Sequence, residues 1–190
     1  MMEIRTKIIN DIIQRNNYKS YLEIGVDDCI NFNNIIINKK ISVDPNDFRG
    51  TPTFKMTSQE FFGFNKDIFD LIFIDGLHTF EASYYDLTES LKILNENGLV
   101  ILHDTFPKKY EHQTVPPSDP CWTGDVWKSI LKAQLHLNNI EIKTFDVESG
   151  ITFINKSEFN HKNLYLKEIY KYEYFAENYR EILNLTEYKL

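Results

Sequence analysis

In the segment 69–104, FDLIFIDGLHTFEASYYDLTESLKILNENGLVILHD, two apolar runs each end in reactive side chains. Leu71–Ile74 runs into Asp75-Gly76, with His78 three residues beyond the aspartate. Leu99–Leu102 runs into His103-Asp104. Carboxylates and imidazoles gathered at one point can bind hydroxyl groups and move protons. An imidazole, with an ordinary pKa of about 6.5, is suited to taking a proton near neutrality.

The elements around these residues decide whether they meet. Both apolar runs are short, β-branched and bounded by turn chemistry, so each reads as a buried strand. Between them Phe80, Tyr84, Leu87, Leu91 and Leu94 recur at alternating spacings of four and three, the apolar stripe of a helix. Glu81, Thr88, Glu89 and Lys92 fall on its other side. Thr79 is placed to cap the start of this helix, and Asn97-Gly98 to end it in the left-handed region. Strand, helix and parallel strand make a βαβ unit with a right-handed crossover. Its two strand ends share one sheet edge, where open α/β sheets bind ligands. Asp75, His78, His103 and Asp104 are therefore expected in one crevice.

The remainder of the chain extends this pattern. Ile4, Ile8, Ile12 and Ile13 give a first helix ending near Asn16-Asn17. Ser20–Ile24 is a strand running into Glu23-Ile24-Gly25, and a helix is expected over 31–38. Lys40–Val43 is a strand stopped by Asp44-Pro45, and Thr53–Met56 is another, after which Thr57 and Ser58 can cap a helix. The stretch 105–123 has no period and contains four prolines, which suits a lid or binding loop. It holds His112, Asp119 and Trp122. A helix over 125–137 follows with Trp127 inward, then strands Ile140–Phe145 and Ile151–Ile154. From Glu158 the chain is charged, tyrosine-rich and helical in tendency. Its Leu166, Ile169, Tyr170, Phe175 and Tyr179 are expected to dock on the domain or on a second subunit. The element order predicts an α/β three-layer sandwich.

Bulk properties narrow the function. The 190 residues, 42% hydrophobic and 26% charged, are enough for one soluble domain with a substantial core. A net charge of −7 argues against nucleic acid as the main partner. Cys29 and Cys121 are not at metal spacing, the first helix is amphipathic rather than a signal peptide, and no run approaches a membrane span. A cytoplasmic location is expected.

Four motifs, YLEIG (Tyr21–Gly25), SVDP (Ser42–Pro45), the run Phe69–Leu87 and GLVILHD (Gly98–Asp104), together resemble class I S-adenosylmethionine-dependent methyltransferases. The likeness is strongest to the small bacterial group with sugar and macrolide O-methyltransferases, and spans about residues 20–154 in order. It implies a Rossmann-like sandwich whose seven-stranded, mostly parallel sheet has an antiparallel last strand. With the terminal extensions left outside the likeness, the methyltransferase domain is expected over residues 1–157 and a helical extension over 158–190, through which two copies could pair.

The resemblance assigns roles residue by residue. Glu23 and Gly25 would hold the methionine end of the cofactor, Asp44 its ribose diol, and Thr57 and Ser58 the adenine, with Asp75 beside the methionine. Cys29 stands where a later glycine is common. Asp75, His103 and Asp104 match the positions at which metal-dependent relatives hold a divalent ion, magnesium or, with an imidazole present, manganese. The same residues could instead bind acceptor hydroxyls. His78 matches a basic position and is the candidate general base, with Asp75 as its catalytic partner. The alternatives for His78 are orienting Asp75 or capping the helix. The activity implied is methyl transfer to a hydroxyl of a small carbohydrate-type acceptor. Two other readings stay open: a non-catalytic module on this fold, supported by only seven glycines in the chain, and a metal-dependent hydroxylase on the same scaffold.

Overall fold

The computed structural model describes residues 3–158 and 165–187. Positions 159–164 and 188–190 of the expected extension lie outside the described residues. The chain runs α1 (Ile4–Asn16), β1 (Ser20–Ile24), α2 (Ile30–Asn34), β2 (Lys39–Asp44), β3 (Phe54–Lys55), α3 (Ser58–Phe64), β4 (Phe69–Ile74), α4 (Phe80–Lys92) and β5 (Leu94–Leu102). After a short 3-10 turn at Tyr110–Gln113 come α5 (Trp127–His136), β6 (Ile140–Phe145), β7 (Ile151–Lys156), α6 (Tyr172–Leu183) and β8 (Leu185–Thr186). Among the described residues, no helix is long and apolar enough to cross a membrane.

The described strands form one sheet in the order β3-β2-β1-β4-β5-β7-β6-β8. Strands β3, β2, β1, β4 and β5 are mutually parallel, and β7 is antiparallel to both β5 and β6. This is the expected Rossmann-like sandwich with one strand more than seven. The addition is β8, which follows α6 and pairs parallel with β6.

Period-two alternation sorts the central strands between two cores. Tyr21, Leu71, Phe73, Leu99 and Ile101 face the layer formed by Ile8, Ile9, Ile12 and Ile13 of α1 and Phe32 of α2. Their neighbours Leu22, Ile24, Ile72, Ile74, Val100 and Leu102 face Phe61, Leu87, Trp127, Ile130 and Phe175, from α3, α4, α5 and α6. Trp127 is fully buried, as its helical spacing implied. The tail docks on the domain: Phe175, Ile182 and Leu183 join this second core, and Tyr179 stacks on Phe106 at 5.2 Å.

Three local expectations are corrected. Helix α2 is five residues long rather than eight, because Asn10 takes over its end, donating to Asn34 O and accepting from Ile36 N–H. Thr79 makes no side-chain cap on α4; the Phe80 N–H donates instead to Asp125 Oδ1 at 2.6 Å, across the layer. Asn97-Gly98 is not a helix stop. The helix ends at Lys92 with Ile93 as its C-cap, and β5 begins at Leu94 with an irregularity that shifts its pairing from Phe69–Leu94 to Leu71–Leu99. Gly98 is needed there, since a Cβ would sit 2.8 Å from the Asp70 carbonyl oxygen.

Candidate functional site

Parallel register brings the strand ends to a common edge. The Gly25 N–H donates to Val43 O, Asp75 N–H to Ile24 O and His103 N–H to Ile74 O, each at 2.8–3.0 Å. The first residues beyond β1, β4 and β5 are thereby stitched side by side. Gly25 has φ +82°, and a Cβ on it would lie 2.3 Å from the Asp75 carbonyl oxygen. Only glycine lets the two turns close on each other.

A cavity of about 500 Å³ opens at this edge. Gly25, Asp44, Thr57, Ser58, Asp75 and His78 all line it, so six of the residues singled out from sequence share one wall system. Asp44 is held firmly: its Oδ2 accepts from Val26 N–H at 2.9 Å and Asp27 N–H at 3.3 Å, and its Oδ1 from Asn46 N–H at 2.8 Å. Oδ1 keeps a lone pair for a ligand hydroxyl, while both of Oδ2's are taken by the loop. The α3 wall is set by a capping box, in which Thr57 Oγ1 accepts from Glu60 N–H and the Glu60 carboxylate accepts from Thr57 N–H. Cys29 adopts φ +60°, the conformation glycine would occupy without strain. The loop therefore keeps its glycine-type backbone with a small buried thiol in place.

Glu23 is placed differently. Its carboxylate is buried beneath the edge, accepting from Tyr21 Oη at 2.5 Å and from Asn31 Nδ2 at 3.1 Å on both oxygens. Burial pushes its pKa up to about 7, against the lowering effect of those two donors. The structure gives it the role of a brace joining β1, α2 and, through Asn31 and Thr6, α1.

The acids and histidines converge as their register requires. Asp75 Oδ1 lies 3.2 Å from His103 Nδ1 and 3.3 Å from His78 Nε2. Asp104, held at φ +56°, turns its Oδ2 to within 3.1 Å of His103 Nδ1 and 3.4 Å of His78 Nδ1. Burial opposes charge on His103, but Asp75, aided by Asp104 and Glu148, outweighs it, and the His103 pKa lies well above its ordinary value. His78 is raised in the same way, burial being overcome chiefly by Asp75. Asp75 is lowered despite burial, most strongly by His103. His103 thus bridges two carboxylates. The group that brings one donor atom each within 4.8 Å is Asp75, His78 and Asp104.

Arg5 and Glu148 shape the site without a local sequence signal, whereas Trp122 belongs to the proline-bearing loop singled out above. Arg5 reaches from α1 to Asp75 Oδ2 at 3.3 Å, and Glu148 comes from the β6–β7 turn to 3.8 Å from His103 Nε2. Trp122 stacks on His78 with ring centroids 5.2 Å apart. Asp86 lines the cavity from α4, its carboxyl buried, its Oδ1 without a hydrogen-bond partner among the described residues and its pKa pushed up to about 6 by burial. Asp86 lies on the inward face of α4 with Ser83, Leu87 and Ser90. An acid at a core position of the apolar stripe was the signal available for it.

A family model described as a methyltransferase domain matches residues 33–105. No curated protein matches the chain significantly. Among solved structures, the SAH-bound Podospora anserina methyltransferase PaMTH1 superposes with a TM-score of 0.62 at 13% identity, over 81% of this chain and 78% of that one. Cofactor-bound Rv0187 from MTB gives 0.62 at 10% identity, over 81% and 80%. The SAH-complexed O-methyltransferase from Bacillus cereus gives 0.56 at 12%, over 80% of each chain. At these identities the likeness is one of fold, and the fold of this chain is the one those structures share.

Proposed function

We propose that this chain is an S-adenosylmethionine-dependent methyltransferase acting on a hydroxyl of a small, carbohydrate-type acceptor. The observation that carries the reading is the continuity of one cavity from Asp44 to Asp75 and His78. A carboxylate at the second strand end suits a ribose diol, and an acid–imidazole cluster next to it suits an alcohol that must lose a proton. The methyltransferase-domain match over residues 33–105 and the cofactor-bound structures of the same fold support it.

In the reaction, a lone pair of the acceptor oxygen attacks the methyl carbon. The carbon–sulfur bond breaks, its electrons return to sulfur, and a neutral thioether leaves. The hydroxyl proton passes to unprotonated His78, a step that gains with rising pH because Asp75 raises the His78 pKa; Asp75 at Nε2 and the Trp122 ring over its face hold the imidazole in place. The sulfonium loses its charge in this step, so the acids serve chiefly to position; alignment of oxygen, carbon and sulfur supplies much of the acceleration. An indole face beside two carboxylates suits a polyhydroxylated ring.

The residues also fit a divalent ion. Asp75, His78 and Asp104 present three donors, and among the described residues buried His78 Nδ1 has no hydrogen-bond partner, only the Asp104 carboxylate at 3.4 Å. These three would hold it, with the imidazole favouring manganese over magnesium. When bound, such an ion supplies acidity to the acceptor hydroxyl.

Titration calorimetry of metal-stripped protein with S-adenosylmethionine tests the reading, beside an Asp44→Ala variant. Micromolar binding weakened about 10- to 100-fold by the substitution, the loss of a charged hydrogen-bonding group, is expected. No heat from protein shown to be folded would overturn it.

A further inference from the structure

The loop between β5 and α5 carries a second group of donors that the reaction above leaves unused. His112, Asp119 and Cys121 each place one ligand atom within 4.8 Å of the other two. The side chains of His112 and Asp119 are only 12% and 15% exposed, whereas Cys121 is open to solvent. His112 Nε2 faces Asp119 Oδ1 at 3.7 Å, beyond hydrogen-bond length. That separation can be spanned by an ion whose bonds to nitrogen and oxygen run about 2.0–2.2 Å. The backbone already holds the three together. Thr123 donates to the His112 carbonyl oxygen through both its N–H, at 2.8 Å, and its hydroxyl, at 3.1 Å. Cys121 N–H donates to Asp119 Oδ1 at 2.8 Å, and Trp122 Nε1 to Thr114 O at 2.5 Å.

We propose that His112, Asp119 and Cys121 bind a zinc-type divalent ion, with a fourth position open to water through the exposed cysteine. One sulfur, one nitrogen and one oxygen donor is the wrong set for magnesium or calcium and a suitable one for zinc or cobalt. On binding, the Cys121 thiol gives up its proton to solvent, and thiolate and carboxylate together neutralise the dication. Two present contacts must yield or adapt. Lys109 Nζ sits on Asp119 Oδ2 at 2.7 Å, but it is half-exposed and leaves Oδ1 to the ion. The long 3.4 Å contact from Lys108 N–H to His112 Nδ1 opens, because an ion on Nε2 places the ring proton on Nδ1. Trp122 lies between Cys121 and Thr123 and stacks on His78, so the ion would fix the segment that covers the acid–histidine cluster.

Metal-stripped protein titrated with Co²⁺ tests the site by absorption. A thiolate-to-cobalt charge-transfer band is expected, saturating at one equivalent and displaced by Zn²⁺. It should survive Asp75→Asn, since that cluster contains no sulfur, disappear in Cys121→Ser, and require at least about tenfold more Co²⁺ in His112→Ala. No band in the unsubstituted protein would overturn the proposal. So would a band that persists in Cys121→Ser, because Cys29 would then be the thiolate.

Discussion

The Trp122 ring lies on the His78 imidazole with centroids 5.2 Å apart and planes inclined by 27°. The two residues come from different loops, and each is fixed from its own side. Trp122 donates its indole N–H to Thr114 O, while His78 is held by Asp75. The contact covers one face of the imidazole, the side chain proposed above as the general base.

Replacing Trp122 by leucine should therefore act on the acceptor rather than the cofactor. An aromatic contact of this kind contributes about 0.5–1.5 kcal/mol, which corresponds to roughly two- to tenfold in kcat/KM. S-adenosylmethionine affinity should be unchanged in calorimetry, since Trp122 does not line the main cavity. Equal losses in both would mean that the loop supports the whole edge.

Glu23 sets a pH dependence of stability whose sign follows from its environment. Its folded pKa, about 7, lies above the ordinary 4.5 because burial disfavours the anion. The folded state therefore binds the proton more tightly than the unfolded state. This contribution to stability is fully present below pH 4.5 and is lost as pH rises through 7. The shift corresponds to about 3 kcal/mol. Glutamine can still accept from Asn31 and turn its amide towards Tyr21, so Glu23→Gln should fold. The difference in unfolding free energy between the two proteins should move in favour of Glu23→Gln between pH 4.5 and 7.5. Parallel curves across that range would show that Glu23 titrates normally.

Much of this architecture is legible from local patterns. The short, turn-bounded runs at Ser20–Ile24, Leu71–Ile74 and Leu99–Leu102 and the acids at their ends locate the edge, because parallel pairing leaves little choice of register. What escapes is whatever depends on distant partners. Thr79 is a good cap by type, yet Asp125 does the capping from across the layer. Glu23 looks like a ligand by position, yet Tyr21 and Asn31 claim it. Strand β8 is two residues long and exists because α6 delivers it to β6. For Thr79 and β8 no local window contains the partner that decides the role; for Glu23 Tyr21 is two residues away, but only the fold buries the pair and brings Asn31 to it.

Two glycines should respond oppositely to alanine. At Gly25 the positive φ and the 2.3 Å approach to the Asp75 carbonyl oxygen leave no room for a methyl group. Gly25→Ala should lose about 1–3 kcal/mol of stability and abolish cofactor binding, because the Asp75 turn must move. Gly63 lies in the last turn of α3, and a methyl group there would meet nothing within 4 Å. Gly63→Ala should gain up to about 1 kcal/mol through helix propensity. Thermal unfolding of the two variants side by side checks both signs.

Arg5 ties the first helix to the chemistry. Its guanidinium meets Glu3 at 2.8 Å, Asp75 at 3.3 Å and Glu148 at 4.0 Å, and its side chain is 24% exposed. Removing it leaves three carboxylates facing one another with only the histidines to balance them. Loss of one member of a well-buried ionic network costs about 3–5 kcal/mol, and the partial exposure here reduces the expectation for Arg5→Ala to about 1–3 kcal/mol. Arg5→Lys should recover part of it, since an ammonium restores the charge without the planar fork. Removing the repulsion at the same time should help, so Arg5→Ala combined with Glu148→Gln should be less destabilised than the sum of the two single changes. Denaturant unfolding of the four proteins closes the cycle. A strictly additive result would mean that Arg5 and Glu148 act independently, and that α1 is held by its isoleucine face and the Thr6 and Asn10 contacts without help from their pairing.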